Sequence, residues 1–143
     1  MNHGLDTGFL VAATIAEHSL HPNAKSVLVQ LHKNGDRFSI APQVLAELIH
    51  ILTDPKRFSK PLSVDDARDL AEQWWNATDV DHVYPDNDAT VQFISWHRQY
   101  RLGRKRFLDT LLAATYHSAR VHSILTTNSR DFTLFAGLNC ITP

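Results

Sequence analysis

In Gly4-Leu5-Asp6-Thr7-Gly8-Phe9-Leu10-Val11 a carboxylate stands between two apolar runs. The run before it suits a short strand, His3–Asp6. Thr7 is a residue type that caps helices, and Phe9-Leu10-Val11-Ala12-Ala13 continues as one. The same alternation extends along the chain. Phe38-Ser39-Ile40-Ala41 is the next apolar run; Pro42, at a first helical position, opens a helix over Gln43–Leu52, which Thr53-Asp54-Pro55 closes. Ser63-Val64-Asp65-Asp66 resembles a capping start for a helix to about Trp75. Asp79–Tyr84 suits a strand, Asn87–Tyr100 and Phe107–Ala119 suit helices, and Ser123–Thr126 and Leu138–Thr142 suit two last strands. Strand alternating with helix and few hairpin signals predict an α/β fold: a mostly parallel central sheet flanked by helices on both faces. In such sheets sites form beyond the carboxyl ends of the strands.

The 143 residues make up 16.2 kDa, enough for one domain over 1–143 and too little for two ordinary ones. Apolar residues at 43% and charged residues at 20% exclude a disordered chain. Fourteen Lys and Arg against fifteen Asp and Glu leave a net charge of −1, so a nucleic-acid role needs a local basic patch rather than a global field. The single Cys140 excludes an internal disulfide and a Cys-pair zinc site, and fits a reducing compartment. The longest apolar-and-small stretch, Phe9–Ala16, is far short of a membrane span and no Lys or Arg precedes it. A soluble cytoplasmic protein without a signal peptide is expected.

Most of the acids lie among polar neighbours, as solvated charges do; four do not. Asp6 is the first, between its two apolar runs. Glu47, in Val44-Leu45-Ala46-Glu47-Leu48-Ile49, has Val44 three residues before it and Ile51 four after, on one helical stripe. Asp109, in Phe107-Leu108-Asp109-Thr110-Leu111-Leu112-Ala113-Ala114, has apolar residues at its i+3 and i+4 positions. Asp131 follows Ile124-Leu125-Thr126-Thr127-Asn128-Ser129-Arg130, just past a strand end. Singly, each has a plain structural role open to it: Asp6, Asp109 and Asp131 as caps, Glu47 as the partner of an Arg. Jointly, Asp6, Asp109 and Asp131 fall at strand ends or helix starts, which share one edge of a parallel sheet. Like charges gathered there repel unless a cation or protonation relieves them, and a hard, oxygen-ligated ion such as Mg²⁺ or Mn²⁺ suits such donors.

Leu5-Asp6-Thr7, Val44-Leu45-Ala46-Glu47-Leu48, Leu108-Asp109-Thr110-Leu111-Leu112-Ala113-Ala114-Thr115 and Leu125-Thr126-Thr127-Asn128-Ser129-Arg130-Asp131-Phe132 resemble the four acidic blocks of PIN-domain nucleases. More narrowly they resemble VapC-type toxins of bacterial toxin–antitoxin pairs, in family order over essentially the whole chain. The resemblance implies a Mg²⁺-dependent endoribonuclease whose acidic cluster is Asp6, Glu47, Asp109 and Asp131, with Thr7 and Asn128 as flanking polar support. It also implies a homodimer held inactive by a small antitoxin that inserts a basic side chain among the acids. One departure is that many members carry the fourth acid two residues earlier, where Ser129 stands.

A polyanionic substrate needs cations, and Arg98, Arg101, Arg104, Lys105 and Arg106 crowd into nine positions with no acid from Thr90 to Leu108. They read either as a solvated helix end complementing its dipole or as a phosphate-backbone track leading to Asp109, with Tyr100 and Trp96 as base-stacking candidates. Trp74 and Trp75 are core and interface candidates, one of them a contact for an antitoxin tail. Nine His residues form no His-Glu-x-x-His motif, and Glu47-Leu48-Ile49-His50 lacks the second Glu-x-x-His element of a di-iron bundle, so His50 reads as a helix-face residue. Gly-rich phosphate loops, Gly-x-Ser-x-Gly elbows and Cys nucleophiles are missing. Two other readings of the acids remain: a receiver-like domain, though Leu138–Pro143 lacks the Lys it would want, and a nuclease fold kept as a protein-binding module. A housekeeping RNA-processing nuclease is the alternative to the toxin.

Overall fold

A computed structural model describes all of residues 1–143. Five strands, β1 (Asn2–Leu5), β2 (Arg37–Ile40), β3 (Val80–His82), β4 (Ser123–Leu125) and β5 (Asn139–Ile141), form one sheet in the order β3-β2-β1-β4-β5. Every pairing is parallel. The helices are α1 (Thr7–Thr14), α2 (His21–Lys33), α3 (Pro42–Leu52), α4 (Val64–Trp75), α5 (Asn87–Gln99) and α6 (Phe107–Ser118). From β1 the chain steps outward to β2 and β3, then returns past β1 to β4 and β5. Right-handed crossovers therefore put α1 to α4 on one face and α5 with α6 on the other. The packing follows: α1 contacts α2 and α3, α3 contacts α4, and α5 packs along α6.

The local signals behave as read at most junctions. Pro42 opens α3, the Ser63 hydroxyl accepts from the Asp66 amide at the start of α4, and Asp86 does the same for Ala89 at α5. Two expectations are corrected. Thr7 is the first helical residue of α1 and Asp6, in extended conformation, occupies the cap position. Helix α2 is the second, in a stretch for which the sequence signals no element: Leu20, Ala24, Val27, Leu28 and Leu31 form a helical stripe, but it is thin and set among His, Asn, Lys and Gln. The core is one cluster on both sides of the sheet, with Leu5, Phe9, Leu10, Ile40, Val44, Leu48, Tyr116, Ile124 and Leu125 fully buried. No helix is long and apolar enough to cross a membrane.

The order of the sheet reverses between β1 and β4, where Leu5 pairs with Leu125 and the Asp6 amide donates to the Leu125 carbonyl at 3.0 Å. Open α/β sheets bind ligands in the crevice at such a switch point. Asp6 leaves β1 there, and Thr126-Thr127-Asn128 leaves β4 beside it.

Candidate active site

Asp6 caps α1 through its backbone only, so its carboxylate is free to face β4. Thr126 Oγ1 donates to Asp6 Oδ2 at 2.7 Å and accepts from the Asn128 amide at 3.0 Å. One buried hydroxyl thus ties the acid to the chain leaving β4. Glu47, half-buried on the second turn of α3, accepts from Thr7 Oγ1 at 2.9 Å. Thr7 therefore braces an acid rather than capping a helix. Asp109 lies in the first turn of α6, and Asp131 in a 3-10 turn, Ser129–Asp131, where Asn128 Nδ2 donates to its Oδ2.

The acids sense one another. Burial first, then repulsion from Asp109 and Glu47, pushes Asp6 up to about 6, against the hydrogen bond from Thr126. Asp109 is likewise pushed up to about 6 by burial and by Asp131, with Arg106 opposing. As the side chains stand, no three His, Cys, Asp or Glu are grouped to share an ion; Asp6, Glu47 and Asp131 each accept from a side chain of the protein. The donors nonetheless suit Mg²⁺ or Mn²⁺: all are hard oxygens, and Asp6 and Asp109 are held where a cation would relieve both burial and repulsion.

Of the basic cluster, Arg98, Arg101, Arg104 and Lys105 are exposed, Arg101 with a left-handed backbone (φ 48°). Arg106 turns inward instead, with Nε 3.8 Å from Asp109 Oδ2 and 3.9 Å from Asp131 Oδ1. Trp96 is not free to stack on a base: it is buried, with its ring on Phe135 at 4.8 Å between centroids, and Tyr100 meets the edge of the same ring. Phe107, two residues before Asp109 in the chain, is exposed and stacks on His97 at 4.4 Å between centroids. Trp74 and Trp75 are both partly buried. Trp75 stacks on His82 and, with Leu45, Ile49 and Tyr84, lines a shallow apolar groove. His50 is exposed on α3.

Sequence reading missed four contributors. Thr126 and Thr127 follow a strand end, and two hydroxyls at that edge were the available signal. Gly8 leaves room for Thr127, whose Oγ1 would lie 2.6 Å from a Cβ there. Tyr116 lies two turns after Asp109 on α6, and its hydroxyl donates to the Leu5 carbonyl at 2.6 Å and accepts from the Leu5 amide at 3.1 Å. Arg106, expected on the phosphate track, faces the acids instead.

Solved structures share this architecture. VapBC2 from Rickettsia felis, bound to a DNA fragment from its promoter, superposes with a TM-score of 0.71 at 20% identity, covering 100% of this chain and 99% of that one. VapC20 of Mycobacterium tuberculosis, a sarcin-ricin loop cleaving toxin, gives 0.69 at 17% identity, with 92% of each chain covered. VapBC-1 from nontypeable Haemophilus influenzae gives 0.68 at 17% identity, covering 99% and 98%. No curated protein matches the chain significantly. A family model of the PIN domain matches residues 5–138, spanning all four acids and the chain from the end of β1 to just before β5. With the parallel five-stranded sheet and the acids at its switch point, that match shows that the chain belongs to the PIN domain family.

Proposed function

We propose that this protein is a Mg²⁺- or Mn²⁺-dependent endoribonuclease that hydrolyses RNA phosphodiester bonds, formed by one domain over 1–143 and acting in the cytoplasm as the toxin of a toxin–antitoxin pair. The observation that carries this reading is the pair Asp6 and Asp109, two carboxylates at the switch point of a PIN-family sheet, both held near 6 by burial and by neighbouring acids. Asp6, Asp109 and Glu47 would hold the ion. Bound there, it supplies charge stabilisation at the phosphate oxygens and a more acidic water.

The chain's own residues do the rest. Thr126 and Thr7 each hold one oxygen, of Asp6 and of Glu47, so the acids have fewer rotamers to search when an ion binds. Arg98, Arg101, Arg104 and Lys105 form the exposed track for the phosphate backbone. The antitoxin reading is supported by the fold likeness to VapBC proteins and by the site's charge, since a carboxylate cluster accepts an Arg fork. The groove at Trp75 gives an antitoxin tail apolar area to fold against. Val91, Ile94, Phe107 and Leu108, exposed on α5 and the start of α6, are the face we assign to a second copy.

The test is RNA cleavage by the purified chain with Mg²⁺ or Mn²⁺ and in EDTA, alongside Asp6→Asn and Asp109→Asn. Cleavage should require the ion and both acids while the variants stay folded. Expression alone should arrest growth, and co-expression of the neighbouring small reading frame should relieve it. A harmless chain that still cleaves RNA would instead be a housekeeping processing nuclease.

A further inference from the structure

Arg106 is the one member of the basic cluster that faces the acids. Its backbone is held on both sides: its amide donates to the Gly103 carbonyl at 3.0 Å, and its carbonyl accepts from Thr110 Oγ1 at 2.6 Å. From there the side chain, 24% exposed, runs between Asp109 and Asp131. Nη2 donates to the Asp131 backbone carbonyl, which anchors the guanidinium to the turn as well as to the carboxylate. Nε is buried and has no hydrogen-bond partner, standing 3.8 Å and 3.9 Å from one oxygen of each acid. The other Asp131 oxygen is taken by Asn128. Asp131 thus accepts from Asn128 through Oδ2, lends its backbone carbonyl to Arg106 Nη2, and has Oδ1 facing the guanidinium.

We propose that Arg106 is a resident cation of the acid cluster. Its guanidinium stands between Asp109 and Asp131, neutralises Asp131, and restricts the site to one divalent ion. Asp131 is then the counter-charge that positions Arg106 and not an ion ligand. The inference rests on the metal-site reading above. Its physical basis is that a guanidinium within 4 Å of two carboxylates repels a divalent ion at those same oxygens, and that Arg keeps its charge at any working pH.

The experiment counts Mn²⁺ bound to the RNA-free protein by electron paramagnetic resonance. The parent should take one ion and Asp6→Asn none. Asp131→Asn should still take one, and Arg106→Lys, which keeps the charge, should also stay at one. Arg106→Gln should gain a second ion, with circular dichroism confirming its fold. Two ions on the parent, or loss of the ion in Asp131→Asn, overturns the inference while leaving the metal site standing, and so does a folded Arg106→Gln that still takes one. A parent that binds no Mn²⁺ overturns the metal-site reading itself. Should Arg106→Gln fail to fold, the parent and Asp131→Asn counts decide the matter.

Discussion

Gly4 lies flat against the ring of Tyr116, so close that a Cβ at position 4 would stand 2.6 Å from two ring carbons. The contact has a purpose in the sheet. β1 pairs with β2 only as far as Gly4, and at Leu5 the bonding partner is the Tyr116 hydroxyl, which also lies 3.2 Å from the Ser39 carbonyl. A phenol is thus wedged between two parallel strands one residue before Asp6, and only a strand without a side chain at position 4 admits it.

Gly4→Ala should therefore destabilise the fold by about 1–3 kcal/mol, the usual cost of overpacking a core. Tyr116→Phe should cost about the same for a different reason, leaving the buried Leu5 amide without an acceptor. Both should also slow RNA cleavage, because the strand end that aims Asp6 loosens. Thermal denaturation and single-turnover cleavage would be measured together. Unchanged cleavage in a destabilised Tyr116→Phe would limit the wedge to a packing role.

Asp6 and Asp109 titrate near 6 in the folded chain against 3.8 for the ordinary carboxyl group. Between those values the folded state holds more protons than the unfolded one, so the ion-free protein should lose stability as pH rises from about 4 to 6. Asp36, Asp81 and Asp86 are shifted downward by their partners, so their contribution is lost only as pH falls below the ordinary value. The windows are separate. Asp6→Asn, whose amide oxygen still accepts from Thr126, should flatten the fall and be the more stable protein at pH 7 without ions. Adding Mn²⁺ at pH 7 should stabilise the parent and not the variant. Matching denaturation profiles for the two would remove Asp6 as the source.

Thr126→Val keeps the shape of the side chain and deletes the hydroxyl that joins Asp6 to the Asn128 amide. Loss of such a supporting group typically costs about 10- to 100-fold in ion affinity or activity. The expected result is weaker Mn²⁺ binding with the fold retained, rescued by Thr126→Ser. Full affinity in the valine variant would mean that Asp6 holds its rotamer unaided.

Neutralising Arg98, Arg101, Arg104 and Lys105 should weaken RNA binding far more than the cleavage step. Each lost phosphate contact should lower the log–log salt slope by about 0.7 for a single strand. Filter binding across a salt series checks this. A slope that does not change returns the four side chains to an ordinary solvated helix end.

Much of this molecule is decided locally and was legible in the residues. Pro42, Ser63 and Asp86 start helices because their own geometry and hydrogen bonding favour it. The alternation of short apolar runs with helical stripes suffices for a parallel α/β sheet, and acids set in apolar stretches mark themselves as out of place. What no local pattern carries is which oxygen meets which hydroxyl. Thr7 bonds Glu47 forty residues away and Thr126 bonds Asp6 across 120 residues; both pairings exist because β1 lies between β2 and β4. Arg106 looks like its basic neighbours in the chain, but the turn at Gly103 and the start of α6 aim it inward while Arg104 and Lys105 stay in solvent. Composition and periodicity determine that acids gather at one sheet edge; the pairing of β1 with β2 and β4 decides how they are held, since a hydrogen bond depends on ångströms that sequence spacing does not encode.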